Sequence, residues 1–99
     1  MTLEEVTQKV AELAITHSGK IGSTVKFSFE DGTVIYLDDT TNPAAVSNAD
    51  DSANCTVKIS KENFLKLMDG EMNAMGAYMM GRMKIDGDMT VAMKLANMF

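Results

Sequence analysis

Residues 77–95 read AYMMGRMKIDGDMTVAMKL, and the way their hydrophobic period changes decides most of the architecture. Met83 and Ile85 alternate with Lys84 and Asp86, the two-residue period of a strand with one face turned inward. Gly87 breaks that period. Asp88 then suits the position before a helix, where a carboxylate accepts hydrogen bonds from the free amides of the first turn. The helix is expected to run to about Phe99. Thr90, Lys94 and Asn97 form a narrow polar stripe along it, while Met89, Val91, Ala92, Met93, Leu95, Ala96, Met98 and Phe99 are apolar. A helix apolar over so much of its circumference is either deeply buried or covers something greasy.

Working outward, the rest of the chain mixes helices and strands in the same way. Thr2 with Glu5 fits a capping box, and Leu3, Val6, Val10, Leu13 and Ala14 follow at helical spacing until Ser18-Gly19. From Val25 the period is two: Val25, Phe27 and Phe29 alternate with Lys26, Ser28 and Glu30. Asp31-Gly32 predicts a two-residue hairpin turn, returning as a strand over Thr33 to Asp38. Residues 39–54 are acidic and turn-rich, with a short edge strand expected near Ala45 to Ser47. Cys55, Val57 and Ile59 alternate as a further strand. Ser60 caps a helix carrying Phe64, Leu67 and Met68, which Gly70 stops. Met72 to Met80 forms another short helical stretch. The class is α+β, read as one domain over residues 1–99.

Composition narrows the function. Ninety-nine residues with a net charge of −5 and a pI near 4.6 carry no basic stripe of the kind that neutralises phosphates, so nucleic acid is a poor partner. Cys55 is the only cysteine and has no internal disulfide partner. The N-terminus lacks the basic and apolar regions of a secretory signal, and no apolar run approaches the ~20 residues that span a bilayer. These features predict a soluble, cytoplasmic protein.

Catalytic patterns are sparse. His17 is the only histidine and reads as a helix-end residue beside Ser18 and Gly19. Cys55 lies on the apolar side of its strand and reads as a small buried hydrophobe. A thioesterase-like hydrolase would have to draw on these two. One histidine and one cysteine do not build a zinc site, and Asp38-Asp39 and Asp50-Asp51 lack the spacing of a calcium loop and read as solvated loop acids. Gly19-Lys20-Ile21-Gly22 and the Gly81 to Gly87 segment match no phosphate-binding or dinucleotide pattern. No enzyme activity and no cofactor are expected.

Methionine is the compositional anomaly. Nine of the ten lie between Met68 and Met98. They read either as core fillers at helical spacing or as a flexible, polarizable wall that adapts to several ligands.

Three ungapped stretches carry a family resemblance. Asn63-Phe64-Leu65-Lys66-Leu67-Met68-Asp69-Gly70-Glu71-Met72-Asn73 resembles a helix and the Gly-x-Met-Asn turn after it. Ala77-Tyr78-Met79-Met80-Gly81-Arg82-Met83-Lys84-Ile85 resembles an aromatic–x–x–Gly–basic–apolar–Lys–Ile/Val run. Gly87-Asp88-Met89-Thr90-Val91-Ala92-Met93-Lys94-Leu95 is similar to a Gly-Asp/Asn-Met-x-x-Ala-Met-Lys-Leu ending. Upstream, Val25 to Phe29 with Asp31-Gly32 looks like a first hairpin, and Ala53-Asn54-Cys55-Thr56-Val57-Lys58-Ile59 resembles an Ala-Asp-Cys-Thr strand. Together these resemble the sterol carrier protein 2 (SCP2) sterol-transfer domain. Ala74 stands where that family often has proline, and Arg82 replaces its usual lysine. The sequence stops at Phe99 without a peroxisomal tripeptide, which favours a free-standing, cytoplasmic, microbial version.

The resemblance implies a five-stranded, mostly antiparallel sheet covered by helices, with an apolar tunnel for fatty acid, acyl-CoA or sterol-like ligands. On that reading Phe27, Phe29, Val57, Ile59, Met75, Met79, Met80, Met83, Met89 and Met93 are the candidate ligand wall. Arg82 and Lys84 would meet an anionic head at its mouth. The expected partner is a lipid or acyl ligand, with a lipid-metabolising enzyme and transient membrane contact as further partners. The alternative is an accessory module that presents a lipophilic substrate to an enzyme.

Overall fold

A computed structural model of the chain describes residues 2–41 and 43–97. The elements run α1 (Leu3–Thr16), β1 (Thr24–Ser28), β2 (Val34–Asp38), β3 (Ala45–Ser47), β4 (Cys55–Ile59), α2 (Lys61–Met68), α3 (Ala74–Met79), β5 (Met83–Gly87) and α4 (Met89–Ala96). The five strands form one sheet in the order β3-β2-β1-β4-β5. Three of its pairings are antiparallel, and the central β1–β4 pairing is parallel. The sheet is therefore mixed. The reason is topological: β2 and β3 fold outward from β1, and residues 48–54 bring the chain back to enter on the other side of β1, running the same way.

Alternation sorts the side chains. Val25, Phe27, Cys55, Val57, Ile59 and Met83 are buried on one face, where Val6, Val10 and Ala14 of α1, Phe64 and Leu67 of α2, Ala77 of α3, and Val91 and Leu95 of α4 join them in a single core. The intervening residues Lys26, Thr56, Lys58 and Lys84 turn to the open face. Helix starts are well made. Thr2 and Glu5 form the reciprocal capping box, Ser60 accepts from the Asn63 amide, and Asn73 accepts from the Gly76 amide.

Two local expectations change. The β1–β2 connection is not a two-residue turn. With Asp-Gly such a turn is type I′, which needs positive φ at both central residues, yet of the two only Gly32 (φ +86°) has it. The Phe29 amide donates to the Thr33 carbonyl at 3.0 Å and the Gly32 amide to the Phe29 carbonyl at 3.2 Å. That is a three-residue loop ending in a glycine bulge, which spares Asp31 the left-handed conformation.

Asp39 is not a solvated loop acid. It is 5% exposed, and its carboxylate accepts from the amides of Gly19 (2.9 Å), Ile21 (2.9 Å) and Gly22 (2.8 Å). The glycine-rich α1–β1 loop is thus an amide nest whose anion comes from within the chain. Finally, α4 ends at Ala96 with Asn97 as its cap. The expected continuation through Met98 and Phe99 lies outside the described residues.

Candidate functional site

Between the sheet and the last two helices lies a cavity of about 130 Å³. Phe27 and Val57 from the sheet and Phe64 and Leu67 from α2 form its floor, and Met83 and Ile85 of β5 form one wall. α3 contributes Ala74, Met75 and Tyr78, while α4 contributes Met89, Ala92, Met93, Leu95 and Ala96. Among the described residues none that borders it is charged, and the Tyr78 phenol is the only side-chain hydroxyl.

Glycine and caps set the two helical walls. Gly87 has φ +112°, and a Cβ there would meet the Asn54 carbonyl oxygen at 2.4 Å. Only glycine lets the chain leave β5 this close to the start of β4. The next amide, that of Asp88, donates to the same Asn54 oxygen at 2.9 Å. The Asp88 carboxylate accepts from the Thr90 amide at 2.8 Å, starting α4. Gly81, with φ +75°, closes α3. There the Arg82 amide donates back to the Ala77 carbonyl at 2.9 Å and aims β5 along the cavity.

α4 is only half buried. Val91 and Leu95 face the core, whereas Met89 and Met93 are 45% and 60% exposed at the cavity's open side. Met75 and Tyr78 of α3 stand exposed across from them. The cavity therefore has an apolar floor and a methionine-rich mouth. A thioether on three rotatable bonds is suited to such a mouth because it repacks at little cost.

Of the ten wall candidates, the structure gathers six around this cavity: Phe27, Val57, Met75, Met83, Met89 and Met93. Phe29 and Ile59 are buried but border a separate depression. Met79 and Met80 are 81% and 69% exposed and point elsewhere. The ten candidates left out Phe64, Leu67, Tyr78 and Ile85, and of α4, whose broad apolar face was expected to wall the ligand, they named only Met89 and Met93. Helical spacing carried the signal: Tyr78 follows Met75 by three, and Ala92 and Ala96 follow Met89 and Met93 by three. Arg82 and Lys84 do not stand at the mouth either; strand alternation turns Lys84 to the opposite face from Met83 and Ile85.

The two candidate nucleophilic groups lie apart from the cavity. His17 caps the C-terminus of α1. Cys55 is fully buried, and burial, followed by the nearby acids Asp88 and Asp86, pushes its thiol pKa up. A raised pKa disfavours the reactive thiolate. Among the described residues no three His, Cys, Asp or Glu side chains gather as metal ligands, and no helix is long and apolar enough to cross a membrane.

The sequence profile of the SCP-2 sterol transfer family matches residues 2–99. The chain belongs to that family. It is 33% identical over 104 residues to human sterol carrier protein 2, covering 99% of this chain and 19% of that protein. The chain thus spans about a fifth of the length of the curated relatives it matches. Among solved structures, sterol carrier protein 2 of Aedes aegypti in complex with palmitate superposes with a TM-score of 0.78 at 21% identity, covering 98% of this chain and 94% of that one. UbiJ-SCP2, a ubiquinone synthesis protein, does so with a TM-score of 0.71 at 18% identity, covering 99% and 92%. These SCP-2 family folds share the mixed sheet and the arrangement of helices described above.

Proposed function

We propose that this domain is a cytoplasmic carrier for an acyl-type lipid, which it shelters without transforming. One observation carries the reading: among the described residues the cavity is bordered by apolar groups and the Tyr78 ring, with no acid, base or thiol in its lining. Such a site offers burial and little else. The palmitate complex of the similarly folded mosquito protein supports the choice of ligand class.

Size says how binding works. A dry cavity of ~150 Å³ takes one benzene-sized guest, so the 130 Å³ here suits only a short length of chain. A full acyl tail has to push Met75, Met89 and Met93 outward and extend along the mouth. Burying ~12–16 methylenes at ~0.8 kcal/mol each yields roughly 10–13 kcal/mol. After ordering and association costs, that leaves affinity in about the micromolar to nanomolar range.

Native mass spectrometry of the freshly purified chain, followed by organic extraction, tests this. A heterogeneous set of bound acyl masses is the expected result. An apo mass that stays unchanged after incubation with fatty acids and acyl-CoAs overturns it.

A second reading has its own support. Met79 and Met80, at the end of α3, are exposed and do not border the cavity, an apolar surface that a cavity ligand does not use. It would serve an accessory role in which the domain offers a lipophilic substrate to an enzyme. Stoichiometric co-purification of an enzyme that M79E/M80E abolishes, with lipid content unchanged, is the result that reading requires.

A further inference from the structure

Lys58 and Lys84 stand directly opposite each other across the antiparallel β4–β5 pair, on the face of the sheet that the helices leave open. Like charges facing each other across a ladder oppose the pairing, and although Asp86 stands two residues along the same face of β5, neither lysine forms an ion pair with it. Other lysines here do find an acid. Lys26 Nζ lies 2.8 Å from Asp50 and Lys61 Nζ 2.5 Å from Asp31. Lys58, Lys84 and the nearby Arg82 have no ion pair and no side-chain hydrogen bond among the described residues.

All three border one shallow depression of about 370 Å³ that shares no lining residue with the apolar cavity. Its apolar part is Phe29 and Ile59, and the hydroxyls of Ser28 and Ser60 border it as well. One acid is present: Glu30, whose carboxylate accepts from the Lys61 amide at 3.0 Å. Among the lining residues three cations face one carboxylate. Asp86, next along the same face of β5, is a second nearby acid, and the place remains positive in a chain whose net charge is −5.

We propose that this depression binds a phosphate-bearing anion. A phosphate monoester carries about −1.5 to −2 charges at neutral pH, which such a cluster of cations attracts. The Arg82 fork and two ammonium groups supply charge-assisted donors of the kind that hold phosphate oxygens. Ser28, the parallel register partner of Lys58, adds a hydroxyl donor. Strand alternation keeps this site independent of the lipid cavity, since Met83 and Ile85 face one way and Lys84 the other. The phosphate belongs either to a soluble molecule or to a lipid headgroup.

The test uses the full chain, NMR titration with inorganic pyrophosphate, and co-sedimentation with vesicles of phosphatidic acid in phosphatidylcholine. Pyrophosphate is expected to shift Ser28, Lys58, Arg82 and Lys84 together and to bind several-fold more weakly as salt rises. K84E should abolish binding and also raise the unfolding midpoint, because it converts a cross-strand repulsion into an attraction. K94E, at an exposed lysine on α4, should leave binding intact. Vesicle capture that K84E removes, without pyrophosphate binding, assigns the phosphate to a lipid headgroup. The proposal fails if neither probe binds, if K94E weakens binding as much as K84E, or if the shifts scatter over all surface lysines.

Discussion

Phe27 on β1 and Phe64 on α2 meet with ring centroids 4.9 Å apart and planes tilted by 46°, and both rings border the apolar cavity. Phe64 also lies 5.4 Å from the Phe29 ring. The cavity floor is therefore the joint between sheet and helix. Replacing Phe64 by Ala should cost about 3–5 kcal/mol in a urea unfolding experiment, a large share of the ~5–15 kcal/mol typical of a domain this size. Saturating palmitate should restore part of the loss, since a guest can occupy the new void. A loss below ~1 kcal/mol would mean the floor is not packed as described.

Asp39 ties three elements together. Its carboxylate holds the amides of Gly19, Ile21 and Gly22, and its own amide donates to the Ser23 carbonyl at 3.0 Å. Asp39→Ala leaves the buried Ile21 amide and the part-buried amides of Gly19 and Gly22 without their acceptor. Hydrogen bonds to a charged group contribute about 1.5–3 kcal/mol each, so a loss of about 3 kcal/mol or more is expected. Amide exchange at Gly19, Ile21 and Gly22 should accelerate along with it. Protection that survives the substitution would show that the loop is held by something else.

Much of the fold was legible because period and capping are local. The capping box of α1, the edge strand Ala45–Ser47 and the strand-to-helix step at Asp88 each follow from a few adjacent residues. What escaped the reading is non-local. Nothing near Asp39 in sequence says that it reaches back 17 to 20 residues to a glycine loop. The parallel β1–β4 pairing depends on which edge a returning chain takes, and periodicity does not encode that. At the cavity, composition pointed to methionines as a group. Which ones border it depends on where α3 and its end sit over the sheet: Met75 lines the cavity, whereas Met79, one turn further along the same face, and Met80 do not.

The acid limb of the stability curve should report the Asp31 cluster. Lys61 first, then the hydroxyl and amide of Thr33, hold the Asp31 carboxyl well below its ordinary value of 3.8, and Thr40 lowers Asp38 in the same direction. The native state then binds fewer protons than the unfolded chain as pH falls past 3.8, so stability is lost there and is fully present above. Asp31→Asn should flatten that limb by lowering stability above pH 3.8, modestly because the carboxylate is exposed and the pair is screened by solvent. The two proteins should converge at lower pH, where the wild-type carboxyl is protonated. An unaltered acid limb in thermal scans would remove Asp31 from the account.

Peroxide footprinting should separate the methionines that meet the ligand from those that do not. Peroxide transfers one oxygen to a thioether, giving the sulfoxide and water, at a rate that follows exposure. In the ligand-free chain Met79, Met80 and Met93 should oxidise first, Met75 and Met89 next, and Met83, at 9% exposure, last. Bound palmitate should slow Met75, Met89 and Met93, which border the cavity, and leave Met79 and Met80 at their original rates. The sulfoxide is polar, so oxidising the mouth before loading should also reduce palmitate uptake. If palmitate protects Met79 and Met80 as strongly as Met89 and Met93, the lipid covers the outer surface of α3, and the cavity is ordinary core.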